Sequence, residues 1–280
     1  MVLNKGKVPL APASHGMRIR IAFVTCAIAL VCSGLSMHGS ASAGEAESGP
    51  AAGVKVMVFD VFGTVVDCRS SLIAEGQQRG RAKGLKVDWA AFADAWVSAY
   101  VRSVGKVRKR ELPWTRLDAL NRMSLDELLG RFKIEGLTED EKADFNRAWE
   151  RLKPWPDAVE GLTRLRKRFV IAPLSNGNLG LMTNLSKHAG LPWDCILSAE
   201  LVRRYKPDPE VYLSAAEFFG LKPGEVMMVA AHEGDLQVPK KLGMRTAYVH
   251  RPGEGSRLPP TGSYDFVVKD FLELASRLGL

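Results

Sequence analysis

At 280 residues, with 46% hydrophobic and 25% charged side chains, the chain has ordinary globular composition and enough apolar mass for a sizeable core, which argues against a disordered polypeptide. Its formal charge of +8 is inflated by the N-terminus, where Lys5, Lys7, Arg18 and Arg20 face no acid in residues 1–43. The remaining excess, about +4, is spread along the chain; it suits small anionic ligands and argues against a nucleic-acid surface.

The first element is a targeting pattern. Basic "MRIR" (Met17–Arg20) precedes the apolar run Ile21–Leu35, and "ASA" (Ala41–Ala43) fits a small-residue cleavage site. The apolar run falls short of the roughly 20 residues that span a bilayer. Residues 1–43 are therefore expected to be a removable secretory signal, with Met17 as the working start and a periplasmic or secreted product. The competing expectation is a mis-assigned start upstream of a cytoplasmic enzyme. Residues 44–53 read as a flexible lead-in. Outside the signal only Cys68 and Cys195 remain, with neither CxxC nor His spacing, so no zinc site is indicated. Export would permit a disulfide between them; two unpaired buried thiols are the expectation.

Short β-branched runs then alternate with helical patterns. Val54–Phe59, Phe169–Ser175, Cys195–Ser198, Val226–Ala231, Thr246–His250 and Asp265–Val268 read as strands. Asp157–Lys167, Leu179–Ala189, Pro209–Phe219, Leu236–Leu242 and Phe271–Leu278 read as helices. This alternation predicts an α/β fold with a Rossmann-like parallel sheet covered by helices. Residues 71–155 break the alternation. Phe92, Trp96 and Tyr100 fall on one helical face. "SLDELLGRF" and "TEDEKADFNRAWERL" each open with a capping signal. "RSVGKVRKR" (Arg102–Arg110) reads as a solvated helix end, and "LKPWPD" as a rigid linker. The predicted organisation is a core of 54–70 and 156–280 with a helical domain, 71–155, inserted after the first strand.

Four polar groups follow predicted strands, where open α/β sheets bind ligands. They are Asp60; Ser175 with Asn176; Lys206; and Asp235. A carboxylate there can act as a nucleophile, splitting one displacement into two steps through an ester. Lys206 would keep Asp60 ionised and attract an anion. Thr64, Ser175 and Asn176 can donate hydrogen bonds to a substrate carboxylate or to Asp60. Asp235 can orient Lys206 or help to activate water. Gly63 permits the tight turn that aims Asp60 and Thr64 together.

These residues sit in "FDVFGTVVD", "PLSNGN", "YKPDPEVY" and "VAAHEGDLQVPKKLGMRTAYVHRP", which resemble the four motifs of the haloacid dehalogenase superfamily. The resemblance covers Val54–Leu280 and implies that 71–155 is a cap domain. Phosphatases of that superfamily carry an Asp two residues after the nucleophile and tend to carry an acid four residues before the last motif Asp. Here those positions hold Phe62 and Ala231. The sequence is instead most similar to the type II L-2-haloacid dehalogenases, which need no metal or other cofactor. The resemblance implies that Asp60 displaces halide from C2 of a short 2-haloalkanoate with inversion, and that water then releases a 2-hydroxy acid. It assigns functional positions to Thr64, Ser175, Asn176, Lys206, Tyr212 and Asp235, with Phe62, Tyr212, His232 and Trp114 as substrate-side candidates. It favours a homodimer; the mild charge excess and the removable signal lead to the expectation of no nucleic acid and no membrane as partners of the mature form.

The departures are specific. Well-studied members place an Arg after a cap Trp to help receive the halide; here Trp96 is followed by Val97, leaving Arg102 or Arg108 as replacements. His232 stands where those members have an Asn, either handling water with a sensitivity to pH or simply hydrogen-bonded nearby. Glu233 reads as a helix-start acid and Asp67 as a loop or helix-start acid. Tyr212 is either functional or a core aromatic, and Trp114 either lines the pocket or packs the cap. The rival functions are a phosphatase-like hydrolase and a non-catalytic member that binds a small carboxylate.

Overall fold

A computed structural model describes residues 49–280. The expected signal, 1–43, and the first half of the lead-in lie outside the described residues. The core is a six-stranded parallel sheet of β1 (Val56–Phe59), β4 (Val170–Ser175), β5 (Leu197–Ser198), β6 (Val226–Ala230), β7 (Arg245–Val249) and β8 (Phe266–Val268). Its strand order is β5-β4-β1-β6-β7-β8. All four residues of β1 are buried, as a strand covered on both faces requires. β1 pairs with β4 on one side and β6 on the other. The chain thus moves outward to β5 and returns to β6, and its carboxyl ends meet at a switch point beside β1. A two-stranded antiparallel ribbon, β2 (Val66–Asp67) with β3 (Lys153–Pro154), joins the two ends of the helical insert. The expected linker "LKPWPD" therefore contributes a strand.

The insert holds α1 (Cys68–Lys83), α2 (Trp89–Arg108), α3 (Leu117–Arg131) and α4 (Glu139–Asn146). Asp67 caps α1 by accepting the Ser70 N–H at 2.9 Å, the helix-start role expected of it. Thr138 and Glu141 form a reciprocal capping box on α4. The second expected cap fails: Ser124 lies inside α3, where its hydroxyl pairs with Ser103 of α2 at 3.2 Å. Buried Phe92 and Trp96 pack edge-on against each other; Trp96 also meets Phe145 edge-on, and Phe92 stacks on it. Such aromatic pairs each contribute about 0.5–1.5 kcal/mol beyond area burial, and they tie α2 to α4.

On the core side, α5 (Ala158–Leu165), α6 (Leu179–Ala189), α7 (Pro209–Phe218), α8 (Gly234–Lys241) and α9 (Phe271–Arg277) cover the sheet close to their expected spans. Leu179–Ala189 matches at both ends because Gly190, at φ 64°, stops the helix. Among the described residues, no helix is long and apolar enough to cross a membrane. Cys68 and Cys195 are both free thiols, the first buried and the second half-buried.

Candidate active site

β1 ends at Phe59, and the Asp60 N–H still donates to the Val229 carbonyl of β6 at 2.9 Å. That bond fixes the backbone from which the carboxylate projects. The chain then turns sharply. The Val65 N–H reaches back to the Val61 carbonyl at 2.9 Å, and Gly63, at φ 80°, takes the left-handed conformation the turn requires. The turn places Thr64 beside Asp60, and Thr64 Oγ1 donates to Asp60 Oδ2 at 2.7 Å. The same hydroxyl accepts the Ala231 N–H at 2.9 Å, which ties the nucleophile turn to the end of β6.

Three further groups close on Asp60. Lys206 Nζ lies 3.3 Å from Asp60 Oδ1 and 2.6 Å from Asp235 Oδ2. His232 Nδ1 lies 3.2 Å from Asp60 Oδ2. The Tyr212 hydroxyl donates to Asp235 Oδ1. Side chains of Lys206, Asp60 and Asp235 are only 7%, 13% and 12% exposed, so their charges interact in a poorly screened setting.

The charges sort themselves accordingly. Burial pushes the Asp60 carboxyl up, but Lys206, the His232 hydrogen bond and Thr64 outweigh it and hold Asp60 below the usual carboxylate range. Asp235 goes the other way: burial raises it, Lys206 pulls it down, the Asp60 charge raises it again, and it reaches about 6. Burial pulls Lys206 down, and the two carboxylates more than reverse this. Asp60 is thus the ionised carboxylate and Asp235 the one poised to take a proton.

Above Asp60 opens a cavity of about 350 Å³. Asp60, Asn176, Lys206, His232, Asp235 and Glu254 give it a polar floor; Phe62, Cys68, Val97, Tyr100, Val101 and Trp149 give it an apolar wall. Val97, Tyr100 and Val101 share one face of α2, at spacings of three and four. Phe62 meets Trp149 at 5.4 Å and Tyr100 at 6.0 Å between ring centroids, both edge to face. The position where a phosphatase carries its second carboxylate is an aromatic contact in a nearly dry corner.

Other expected residues have different places. Ser175 is buried and off the cavity wall, its hydroxyl accepting the Gly177 N–H at 3.1 Å. Asn176 lines the cavity with its amide engaged: Nδ2 donates to the Tyr100 hydroxyl at 3.1 Å and Oδ1 accepts the Lys206 N–H at 2.9 Å. Tyr212 is fully buried behind Asp235, and Trp114 packs tilted against Tyr205, 4.7 Å between ring centroids; neither lines the cavity. Arg102 and Arg108, the expected replacements for a halide-receiving arginine, are also absent from its lining; Arg108 pairs instead with Asp208 at 2.9 Å. Glu233 does stand at the N-cap of α8, the helix start expected of it, but makes no side-chain capping bond there. It accepts from Thr261, Gly262 and Tyr264, pinning the segment that leads to β8. Among the described residues, no group of three or more His, Cys, Asp or Glu is arranged to hold a metal ion. The positive charge between the two carboxylates is that of Lys206.

Several residues of this site had no site role assigned from the sequence. Tyr100, Trp149 and Cys68 come from the insert, and Glu254 from the loop between β7 and β8. Arg251, in the quoted "VHRP", supports the turn from behind: its Nε donates to the Thr64 carbonyl at 2.8 Å, and its other nitrogens pair with Asp157 at 2.7 and 2.9 Å.

The haloacid dehalogenase-like hydrolase family model matches residues 54–243, more than half of the chain. The chain belongs to that family. It is 30% identical over 228 residues to (S)-2-haloacid dehalogenase 4A of Burkholderia cepacia, covering 76% of this chain and 87% of the relative. Its fold is similar to the crystal structure of the defluorinating L-2-haloacid dehalogenase Rha0230, with 40% identity, a TM-score of 0.78, and coverage of 81% and 96% of the two chains. It is also similar to the L-2-haloacid dehalogenase of Xanthobacter autotrophicus with chloropropionic acid covalently bound, at 25% identity, TM-score 0.69, and coverage of 81% and 98%. Among haloacid dehalogenase-like hydrolases, then, these neighbours are dehalogenases of 2-haloacids.

Proposed function

We propose that the chain hydrolyses short 2-haloalkanoic acids to 2-hydroxy acids through an ester on Asp60. The observation that carries this reading is an ionised Asp60 on the floor of a largely apolar cavity, with Phe62 where a second carboxylate would serve phosphoryl transfer. Asp60 Oδ2 holds the hydrogen bond from Thr64 and faces His232, whereas Oδ1 has only the longer Lys206 contact. Oδ1 is therefore the attacking oxygen. It forms the bond to C2 as the carbon–halogen bond breaks, and the halide leaves with the bonding pair. The Lys206 ammonium keeps the nucleophile charged and draws the substrate carboxylate into the site.

The resulting ester keeps Oδ2 as its carbonyl oxygen. Water attacks the Asp60 carboxyl carbon, and the negative charge gathers on Oδ2, where the Thr64 hydroxyl and His232 Nδ1 stand as donors. Asp235, with its carboxyl near 6, takes the water proton. As the bond to Oδ1 breaks, that oxygen leaves with the bonding pair and takes the proton held by Asp235, releasing the 2-hydroxy acid; Asp60, now carrying one water oxygen, gives up the remaining water proton and returns to the carboxylate. Residues 71–155 act as a cap over this chemistry.

The test is to follow halide and acid release from 2-chloropropionate. Release of both is expected; silence across several haloacids overturns the reading, and phosphate release with magnesium in its place favours the phosphatase-like rival. A single turnover in heavy-oxygen water should label the Asp60 peptide, and an unlabelled peptide refutes the ester. Export and homodimer formation belong to the same proposal, resting on the N-terminal pattern and the family resemblance. N-terminal sequencing of the mature protein and light scattering in solution decide them.

A further inference from the structure

Glu254 reaches the cavity from the loop between β7 and β8 and belongs to none of the quoted motifs. Its carboxylate and the Cε1 edge of His232 converge beside Gly63. A Cβ on Gly63 would meet Glu254 Oε2 at 2.8 Å and His232 Cε1 at 2.9 Å. The loop is pinned on both sides of Glu254. The Arg251 N–H donates to Ser256 Oγ at 2.7 Å, and the Tyr248 hydroxyl donates to the Arg257 carbonyl at 2.8 Å. The backbone N–H of Arg69, in the first turn of α1, also faces the carboxylate.

We propose that Glu254 positions His232: its carboxylate takes the Cε1 edge of the imidazole while Nδ1 faces Asp60 Oδ2, so that the ring stays a donor to that oxygen during ester breakdown. This rests on the ester mechanism above, and it answers a difficulty in it. The charged groups facing His232 are Asp60 after β1, Asp235 on α8 and Glu254 on the loop, with Lys206 beyond the two aspartates. Burial alone pulls the imidazole toward its neutral form; the Asp60 hydrogen bond and charge, then Asp235 and Glu254, raise it again. Once Asp60 is an ester, however, it carries no charge. Asp235 is bound to Lys206 and takes a proton in the same step. Glu254 is the carboxylate left to hold a proton on His232 while Oδ2 becomes an oxyanion. Its own carboxyl is raised by burial and drawn back down by His232, as expected for groups that see one another.

The experiment uses Glu254→Gln in the full chain, with Glu254→Ala as a second variant should the first not fold by circular dichroism. With 2-chloropropionate, formation of the ester should change less than about twofold, and its hydrolysis should slow by roughly tenfold, a fraction of the loss from deleting an oxyanion donor outright. The ester then accumulates on the Asp60 peptide by mass. Loss of one nearby carboxylate should also move the alkaline limb of kcat about 1 unit lower. Without substrate, the His232 Cε1 proton followed by NMR should titrate at lower pH in the variant. An unchanged alkaline limb or an unchanged NMR midpoint overturns the proposal. If the wild type releases no halide, the dehalogenase reading fails, while the NMR midpoint still decides whether Glu254 governs His232.

Discussion

Lys206 Nζ sits closer to Asp235 than to the nucleophile, at 2.6 Å against 3.3 Å from Asp60. One ammonium thus serves two buried carboxylates. Replacing it by a side chain of similar length, Lys206→Met, leaves both facing each other without compensation. Turnover should be lost, and stability at neutral pH should fall by about 3–5 kcal/mol. The stability deficit should shrink as the pH falls, because protonating one carboxylate removes the repulsion. Denaturant unfolding at pH 7 and pH 5 measures both effects; a deficit that grows on acidification contradicts the assignment.

The pH profile has a second origin in Asp235. Its carboxyl titrates near 6, raised by burial, lowered by Lys206 and raised again by the Asp60 charge. Below that value it holds its proton and cannot take one from water, so kcat should rise with pH through about 6. Asp235→Asn should remove this limb and slow turnover by roughly 100-fold or more, the range of a general-base contribution. Steady-state rates across pH 4–9 for both proteins give the comparison.

Phe62→Asp recreates the spacing of a phosphatase, yet the site around it is wrong for a carboxylate. The ring is 8% exposed and packed against Trp149 and Tyr100. The substitution should cost about 2–4 kcal/mol, as for an unpaired polar group set into an aromatic contact. It should lower dehalogenation and confer no phosphatase activity. Phosphate release by the variant with magnesium is the result that contradicts this.

Gly63→Ala tests the turn. At φ 80°, and with Glu254 and His232 within 2.9 Å of the added carbon, alanine is both strained and crowded. About 1–3 kcal/mol of stability should be lost. The loss of rate should fall on ester hydrolysis more than on ester formation, since His232, one of the displaced groups, faces Oδ2. Rapid-quench kinetics separate the two steps.

How much of this was legible depended on distance along the chain. The sheet strands announced themselves as short apolar runs because strands buried on both faces need continuous apolar sequence. Asp60 could be placed because it directly follows β1, whereas Lys206 and Asp235, well beyond the ends of β5 and β6, were legible through the motifs that hold them. Ser124 misled because a serine followed by an acid looks like a cap even inside a helix. Tyr212 and Trp114 carried no signal that separates a pocket wall from a packed interior. Glu254 and Arg251 were invisible as site residues for a different reason. Their meeting with Gly63 and Thr64 joins segments about 190 positions apart, through a loop whose course no periodicity encodes. The sequence did reveal what was missing, an arginine after Trp96, and the structure answers that Val97 stands on the cavity wall there.

The amide of Asn176 is engaged at both ends, holding the Tyr100 hydroxyl of the helical insert with one and the Lys206 backbone with the other. Tyr100 is also part of the cavity wall. A substrate too bulky for that wall must push Tyr100 aside, and in doing so it pulls on the strut that seats the lysine. Size exclusion and charge placement are then one mechanical element: an oversized acid is refused a working ammonium as well as room.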